Sequence, residues 1–337
     1  MKVLLVHPGA DWSTADYWRG YERALRRAGV DIVDYALNNR LVAASGWLRY
    51  CWRRNGRRSE NKPTYADNVY QASVGTIERA LRFAVDWVII VSGMFLHPDV
   101  VIMLRRAGVR VATLFTECPY QDAEQMRFAQ HCNVAFVNER TSVEAFRGVC
   151  AQTHYLAHAY DPDVHRPAIE RDNTPGHDVT FVGTGFRERV DLLKEVDWGD
   201  IDLGLYGSWE LLGPRNRLRR YVRAGVTPNH DAVRLYRRSK VNLNMHRRAD
   251  GAQSVNPRVL ELAACGAFFV TDWRDEMADL GLTGVPLFTD ATSLQDRVRH
   301  WLAAPSEERQ WNAEVARRAV EGQTFDARVR QVLSVLS

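Results

Sequence analysis

Lysine is nearly missing from this chain. Four lysines stand against 41 arginines in 337 residues, so its positive charge is almost entirely guanidinium. That group stays protonated and suits two-pronged contacts to phosphate or carboxylate, although a GC-rich genome produces the same bias. A large surplus of either sign is also missing: 45 basic less 41 acidic residues gives +4. Such a balance permits an anionic ligand and does not require a nucleic-acid coat. Cysteines are few, odd in number and scattered, at positions 51, 118, 132, 150 and 265, with no CxxC pair. This argues against a disulfide scaffold or a structural zinc and makes a reducing cytoplasm the expected home. No apolar run approaches the roughly 18 residues of a membrane span. The opening MKVLLVHPG meets His, Pro and Gly too soon for a signal sequence and reads as a first strand.

What is present is an alternation of short apolar runs with segments of helical period. Strands are expected at 3–6, 31–35, 87–91, 110–115, 134–137 and 153–156, and again at 179–182, 202–206, 241–245, 267–271 and 286–288. Runs that are apolar throughout and separated by helices imply parallel sheets covered on both faces. The length exceeds one compact core, and the Pro-, Asp- and His-rich stretch after residue 156 has no apolar period. The chain is therefore expected to form two doubly wound α/β domains. The first spans 1–160, a linker spans 161–177, and the second spans 178–337, with a last helical segment (307–334) that could return to the first domain. His158 and His165 would belong to the hinge. Residues 40–62 interrupt the grammar. Seven basic residues, including Arg49, Arg53, Arg54, Arg57 and Arg58, face one acid there, with Trp47, Tyr50 and Trp52 interleaved. This reads either as an irregular surface insertion or as a basic aromatic platform for an anionic or aromatic acceptor.

Two constellations carry chemistry. VTFVGTGFRERV (179–190) is a buried strand, a glycine turn and an Arg-rich helix start. Gly183, Thr184 and Gly185 would let a ligand approach the backbone, the helix N-terminus favours negative charge, and Arg187 and Arg189 add fixed cations. It is neither a full GxGxxG fingerprint nor a Walker A loop. The second constellation runs from Val241 to Trp273. Asn256 and Pro257 look like an N-cap and first-turn pair. They place Arg258 where it could clamp phosphate and Glu261 where it could accept from ribose hydroxyls. His246 and Arg247 leave the preceding strand at its carboxyl end. Dipole compensation for Glu261, a satisfied loop histidine for His246 and a plain tight turn for the glycines are the bland alternatives.

The LELAACGAFFVTD core within 241–273 resembles the donor site of GT-B glycosyltransferases of the CgeB-like type, relatives of the retaining family-4 enzymes. FVGTGFRERV, YLAHAYDPDVHRP (155–167) and FTECPY (115–120) are similar to further segments of that family, and the likeness covers roughly residues 85–330. The resemblance implies an α/β GT-B architecture, two Rossmann-like domains facing a central cleft, with a nucleotide-sugar held mainly by the C-terminal one. It implies diphosphate contacts from Gly183, Thr184, Gly185, Arg187 and Arg189. It also implies phosphate or sugar contacts from Asn256 and Arg258, and a ribose contact from Glu261. Many family-4 enzymes pair two glutamates eight residues apart; here the first position is Gln253, an amide that can bind a sugar hydroxyl without carrying charge.

The activity expected from this resemblance is glycosyl transfer from a UDP- or GDP-sugar to an acceptor hydroxyl, retaining and independent of metal. Arg187 and Arg258 would stabilise charge on the departing diphosphate. Glu117, Asp11 or His7 would be the polar group from the first domain. No other cofactor is expected, and the sequence has no DxD signature of metal-dependent transferases. The acceptor stays open among a glycan, a protein, a small molecule and a hydroxymethylated base in DNA, the last suggested by the basic segment. An epimerase or phosphorylase of similar architecture and a non-catalytic nucleotide-sugar sensor are the competing readings.

Overall fold

The computed structural model describes residues 1–9, 15–57, 59–168, 176–225 and 227–337. The chain divides into two compact units, one formed by Met1–Ala157 with Arg328–Ser337 and the other by His158–Ala327.

The first unit is built on a parallel sheet of β1 (Lys2–His7), β2 (Asp31–Ala36), β3 (Trp87–Val91), β4 (Arg110–Leu114), β5 (Val134–Val137) and β6 (Thr153–Tyr155), in the order β2-β1-β3-β4-β5-β6. Val3–Val6 and Val88–Ile89 are wholly buried, as expected of central parallel strands whose two faces are both covered by helices. The Tyr65–Arg82 helix begins at a reciprocal cap: the Thr64 hydroxyl accepts from the Asp67 N–H at 3.2 Å, and the Asp67 carboxylate accepts from the Thr64 N–H at 2.7 Å. Most of the basic segment is helical rather than irregular. Asn38–Arg54 is a helix, with Ala44 its buried residue. The Phe325–Leu336 helix also contributes to this unit, because Trp87 Nε1 donates to the Leu336 carbonyl at 3.0 Å and Gln331 Nε2 to the Tyr155 carbonyl at 2.8 Å.

In the second unit β7 (Val179–Val182), β8 (Leu203–Tyr206), β9 (Val222–Ala224), β10 (Val241–Leu243) and β11 (Phe269–Val270) form a parallel sheet in the order β11-β10-β7-β8-β9. Side chains alternate between two cores. Val179, Phe181 and Leu243 pack on one face with Trp198 and Trp209, while Val182 and Phe269 join Tyr236 and the Pro257–Ala264 helix on the other. Residues 286–288, expected as a strand, contribute only an isolated bridge between Thr271 and Leu287. Part of the expected linker is integral to this unit: Asp161 and His165 are buried, and Tyr160 bridges Thr324.

The order of this sheet reverses between β7 and β10, the place where doubly wound sheets open a crevice at their carboxyl ends. Three loops meet there, and glycines permit the approach. A Cβ on Gly185 would lie 2.2 Å from the Trp209 ring, and one on Gly207 (φ +111°) would lie 2.3 Å from the Gly183 carbonyl oxygen. A ring can shift, but that carbonyl belongs to a strand end and cannot. Gly207→Ala should therefore destabilise the protein by about 2–4 kcal/mol, read as a lower urea midpoint; a midpoint within error of wild type would contradict this packing.

Candidate functional site

The switch point of the second sheet gathers most of the residues singled out in the C-terminal half. The turn after β7 leads into the Arg187–Glu195 helix, whose N-cap, Phe186, supplies no side-chain acceptor. That end of the helix keeps its positive partial charge. Gly183 and Gly185, expected to let a ligand approach the backbone closely, have their own N–H groups engaged within the protein. Gly183 N donates to the Tyr206 carbonyl at 2.9 Å and Gly185 N to the Ser208 carbonyl at 2.8 Å. Both glycines also permit close loop packing. Thr184 and Arg187 are exposed on the same turn.

Arg189 joins two loops. Its Nη1 donates to the Thr184 carbonyl at 2.9 Å and its Nη2 to the Met245 carbonyl beyond β10. Its guanidinium lies 5.4 Å from the Phe181 ring centroid and 5.0 Å from that of Phe186, and Arg247 approaches the same Phe186 ring at 4.9 Å. Two guanidinium groups on one aromatic ring concentrate positive charge over the turn.

His246 lies three residues beyond β10 with its side chain buried. Asp272 Oδ1, beyond β11, lies 2.8 Å from its Nδ1 and accepts from its backbone N–H at 2.9 Å. This partner, 26 residues away, was not foreseen. The pairing fixes the tautomer: Nδ1 carries the hydrogen, leaving Nε2, which has no hydrogen-bond partner, as the free position. Burial by itself raises the Asp272 pKa, but the His246 side chain and N–H and the nearby Arg274 charge outweigh it and hold the carboxyl below its ordinary 3.8.

On the Pro257–Ala264 helix, the Asn256 side chain accepts from Val259 N at 3.2 Å, the expected cap. Because Pro257 has no N–H and Val259 is capped, only the Arg258 amide of that first turn is left to face a ligand. Arg258 Nη1 meets Glu261 Oε2 at 2.6 Å and also the Tyr236 hydroxyl. Glu261 is buried, and His165 Nε2 lies 4.0 Å from the same oxygen. The proposed phosphate clamp and ribose acceptor are thus paired with each other, and burial pushes the Tyr236 hydroxyl well above its ordinary pKa, so it stays neutral beneath them. The Gln253 carbonyl accepts from Glu276 N at 3.0 Å. A cavity of about 620 Å³ opens beside the glycine loops, with Gly207, Trp209, Glu210 and Gly225 in its wall.

The remaining candidates lie in the first unit. Glu117 follows β4, and its carbonyl accepts from Gln121 N at 3.0 Å. His7 ends β1, with Nε2 2.7 Å from Asp34 and its ring stacked on Trp18 at 3.7 Å. Arg49, Arg53, Arg54 and Arg57 are exposed on or just beyond the Asn38–Arg54 helix, and Trp47 and Tyr50 are exposed with ring centroids 5.9 Å apart. Asp11 and Arg58 lie outside the described residues.

Residues 169–334 match the family model described as Glycosyl transferase-like. Among solved structures, the chain is similar to Anabaena Alr3699/HepE in complex with UDP-glucose (11% identity, 99% of each chain covered, TM-score 0.65). It is also similar to an E. coli structure described as trehalose-6-phosphate bound with UDP-2-fluoro glucose (11% identity, 100% of this chain and 99% of that, TM-score 0.67). A third is the DNA-modifying enzyme β-glucosyltransferase (13% identity, 99% of each, TM-score 0.62). The fold is GT-B. The residues that match the family model fall mostly in the second unit, and the alignments to these neighbours span both units of this chain. No curated protein sequence matches.

The His246–Asp272 pair makes a pH prediction. Because the Asp272 pKa is depressed in the folded state, its contribution is complete above the ordinary value of 3.8 and is lost as pH falls through the lower folded value. Asp272→Asn should cost about 1–3 kcal/mol at neutral pH and remove that part of the acid loss. Urea unfolding of both proteins from pH 7 downward checks this; parallel curves would refute it.

Proposed function

We propose that the chain transfers a sugar from a nucleoside-diphosphate sugar, UDP-linked, to an acceptor hydroxyl. The observation that carries this reading is the Arg189 junction at the switch point of the second sheet. It ties together an uncapped helix N-terminus, the exposed Arg187 and, through the shared Phe186 ring, the Arg247 guanidinium, with His246 next to the Met245 carbonyl that it holds. The diphosphate would lie against the crevice there, with Thr184, Arg187 and Asn256 beside it. Glu261, oriented by Arg258, would accept from the ribose, and Gln253 would bind a sugar hydroxyl. The cavity walled by Trp209 and Gly225 is wide enough for the base. UDP and UDP-sugars bound in similar structures support uridine over guanosine.

In the reaction, the bond between the anomeric carbon and the β-phosphate oxygen breaks while the acceptor oxygen bonds to that carbon. Negative charge grows on the departing diphosphate, where Arg187, Arg258 and the helix N-terminus stabilise it. Guanidinium groups take the place of a divalent cation, so transfer is metal-independent. The phosphate oxygen takes the acceptor proton on the face it leaves, which gives retention.

A hydroxymethylated base in DNA is the acceptor that one specific feature favours. The Asn38–Arg54 helix and the residues just after it present arginines and a stacked aromatic pair to solvent, and a DNA-modifying glucosyltransferase shares the fold. Guanidinium groups would hold phosphates and Trp47 and Tyr50 would stack on bases.

With UDP-glucose and hydroxymethylated duplex DNA, wild type should release UDP and label the DNA in the presence of EDTA, less so as salt rises. Arg187→Ala, an exposed substitution, should lower kcat about 100-fold with the melting temperature unchanged. EDTA-abolished turnover would refute metal independence, salt-insensitive labelling would refute the DNA surface, and unchanged kcat would refute the Arg187 role.

A further inference from the structure

The first unit contains a second cavity, of about 330 Å³, at the carboxyl ends of β3 and β4. The buried Val69, Leu96, Phe115 and Phe128 side chains form an apolar part of its wall, and His97, Gln121, Glu124 and Arg127 also line it. Two polar groups in the wall have no partner. The Ser92 hydroxyl and the Gln125 Nε2 belong to residues only 1% and 4% exposed, and neither makes a hydrogen bond. The Gln125 oxygen is already engaged by the Cys118 thiol at 3.1 Å, which leaves the N–H₂ end as the free one.

Ser92 carries a second cost. Its φ is +72°, a left-handed conformation that disfavours any residue with a Cβ. Its backbone N–H closes the sheet to the Leu114 carbonyl at 2.8 Å, a bond that glycine would make equally well. Glycine here would remove both the strain and the buried, unpaired hydroxyl. The fold gains nothing from the serine side chain. Strain and unpaired polar atoms that meet in one cavity point to a ligand group that completes them.

We propose that this cavity binds a planar, uncharged ring bearing an oxygen. Against Val69, Leu96, Phe115 and Phe128 a fully hydroxylated sugar would lose water from many polar groups without replacement, which favours a flat apolar ring there. The Gln125 amide can only donate and the Ser92 hydroxyl can donate, so the ring presents a carbonyl or hydroxyl oxygen to them. The volume suits a single or fused ring, larger than a cavity of about 150 Å³ that takes benzene. The helix that supplies Val69 starts three residues after Lys62, where the basic segment ends. A ring carried on a polyanion would therefore meet phosphate-binding arginines just ahead of the pocket in the chain. As the acceptor site, the cavity rests on the glycosyltransferase reading; as a ring-binding site, it does not.

The test is methyl-detected NMR of the full chain, following the Val69 and Leu96 methyls. The titrants are 5-hydroxymethyl-2′-deoxycytidine, benzyl alcohol and glucose, and UDP is titrated separately. Both ring alcohols should shift these methyls, and glucose should not. Ser92→Gly should weaken ring binding at least about tenfold, the loss of one buried hydrogen bond. Its melting temperature should be no lower than wild type, and its response to UDP should be unchanged. Gln125→Met, similar in volume, should weaken the rings in the same way. Shifts from glucose at lower concentration than from the rings, no shifts from the rings, or ring binding indifferent to Ser92→Gly would each overturn the proposal. Failure of the rings with UDP still binding would sink this site alone, whereas failure of UDP would sink the transferase reading and leave the ring site standing.

Discussion

The Arg189 guanidinium ties the Gly183–Phe186 turn to the carboxyl end of β10, and the rest of the second unit's crevice depends on that link. Backbone carbonyls at a sheet's carboxyl end repel an anion brought near them. One guanidinium that consumes two of these carbonyls, Thr184 and Met245, lowers that repulsion and leaves positive charge facing outward. The Phe181 and Phe186 rings lie against it and add cation–π attraction. Neither a lysine, with one point charge, nor a neutral donor could span both loops in this way.

The other parts are arranged around that link by close packing and by polar contacts within the protein. Gly185 lets Trp209 close on the turn, and Gly207 lets its loop close on the Gly183 carbonyl. His246 is held by Asp272, and Glu261 by Arg258, so two side chains expected to reach for a ligand are already oriented by protein partners. Such pairing reduces the entropy that a ligand would otherwise have to remove on binding. It also keeps a buried carboxylate from standing unpaired.

The alternation of apolar runs and helices was legible because parallel strands buried on both faces leave a strong local signal. Trp87–Val91, Val134–Val137 and Val179–Val182 are strands at the residues expected. The Asn256 cap was legible for the same local reason, since a cap and the proline beside it act within one turn. What was not legible depends on distant residues. Nothing near His246 marks Asp272 as its partner, and the glycine turn does not disclose that its own amides are taken by Tyr206 and Ser208. The Asn38–Arg54 helix was hidden because Leu37 provides no side-chain cap and because a central Gly46 and exposed Val42, Trp47 and Tyr50 blur its apolar stripe. Residues 286–288 have strand composition, but only a single bridge reaches them. Ser92 and Gln125 carry no motif at all; only their shared cavity draws them together.

The most direct test of the Arg189 junction is calorimetric titration of UDP into wild type and Arg189→Lys. The lysine variant keeps the charge but cannot bond both loops. Its affinity for UDP should fall at least about tenfold while its circular dichroism spectrum stays that of wild type. Equal affinities in the two proteins would contradict it.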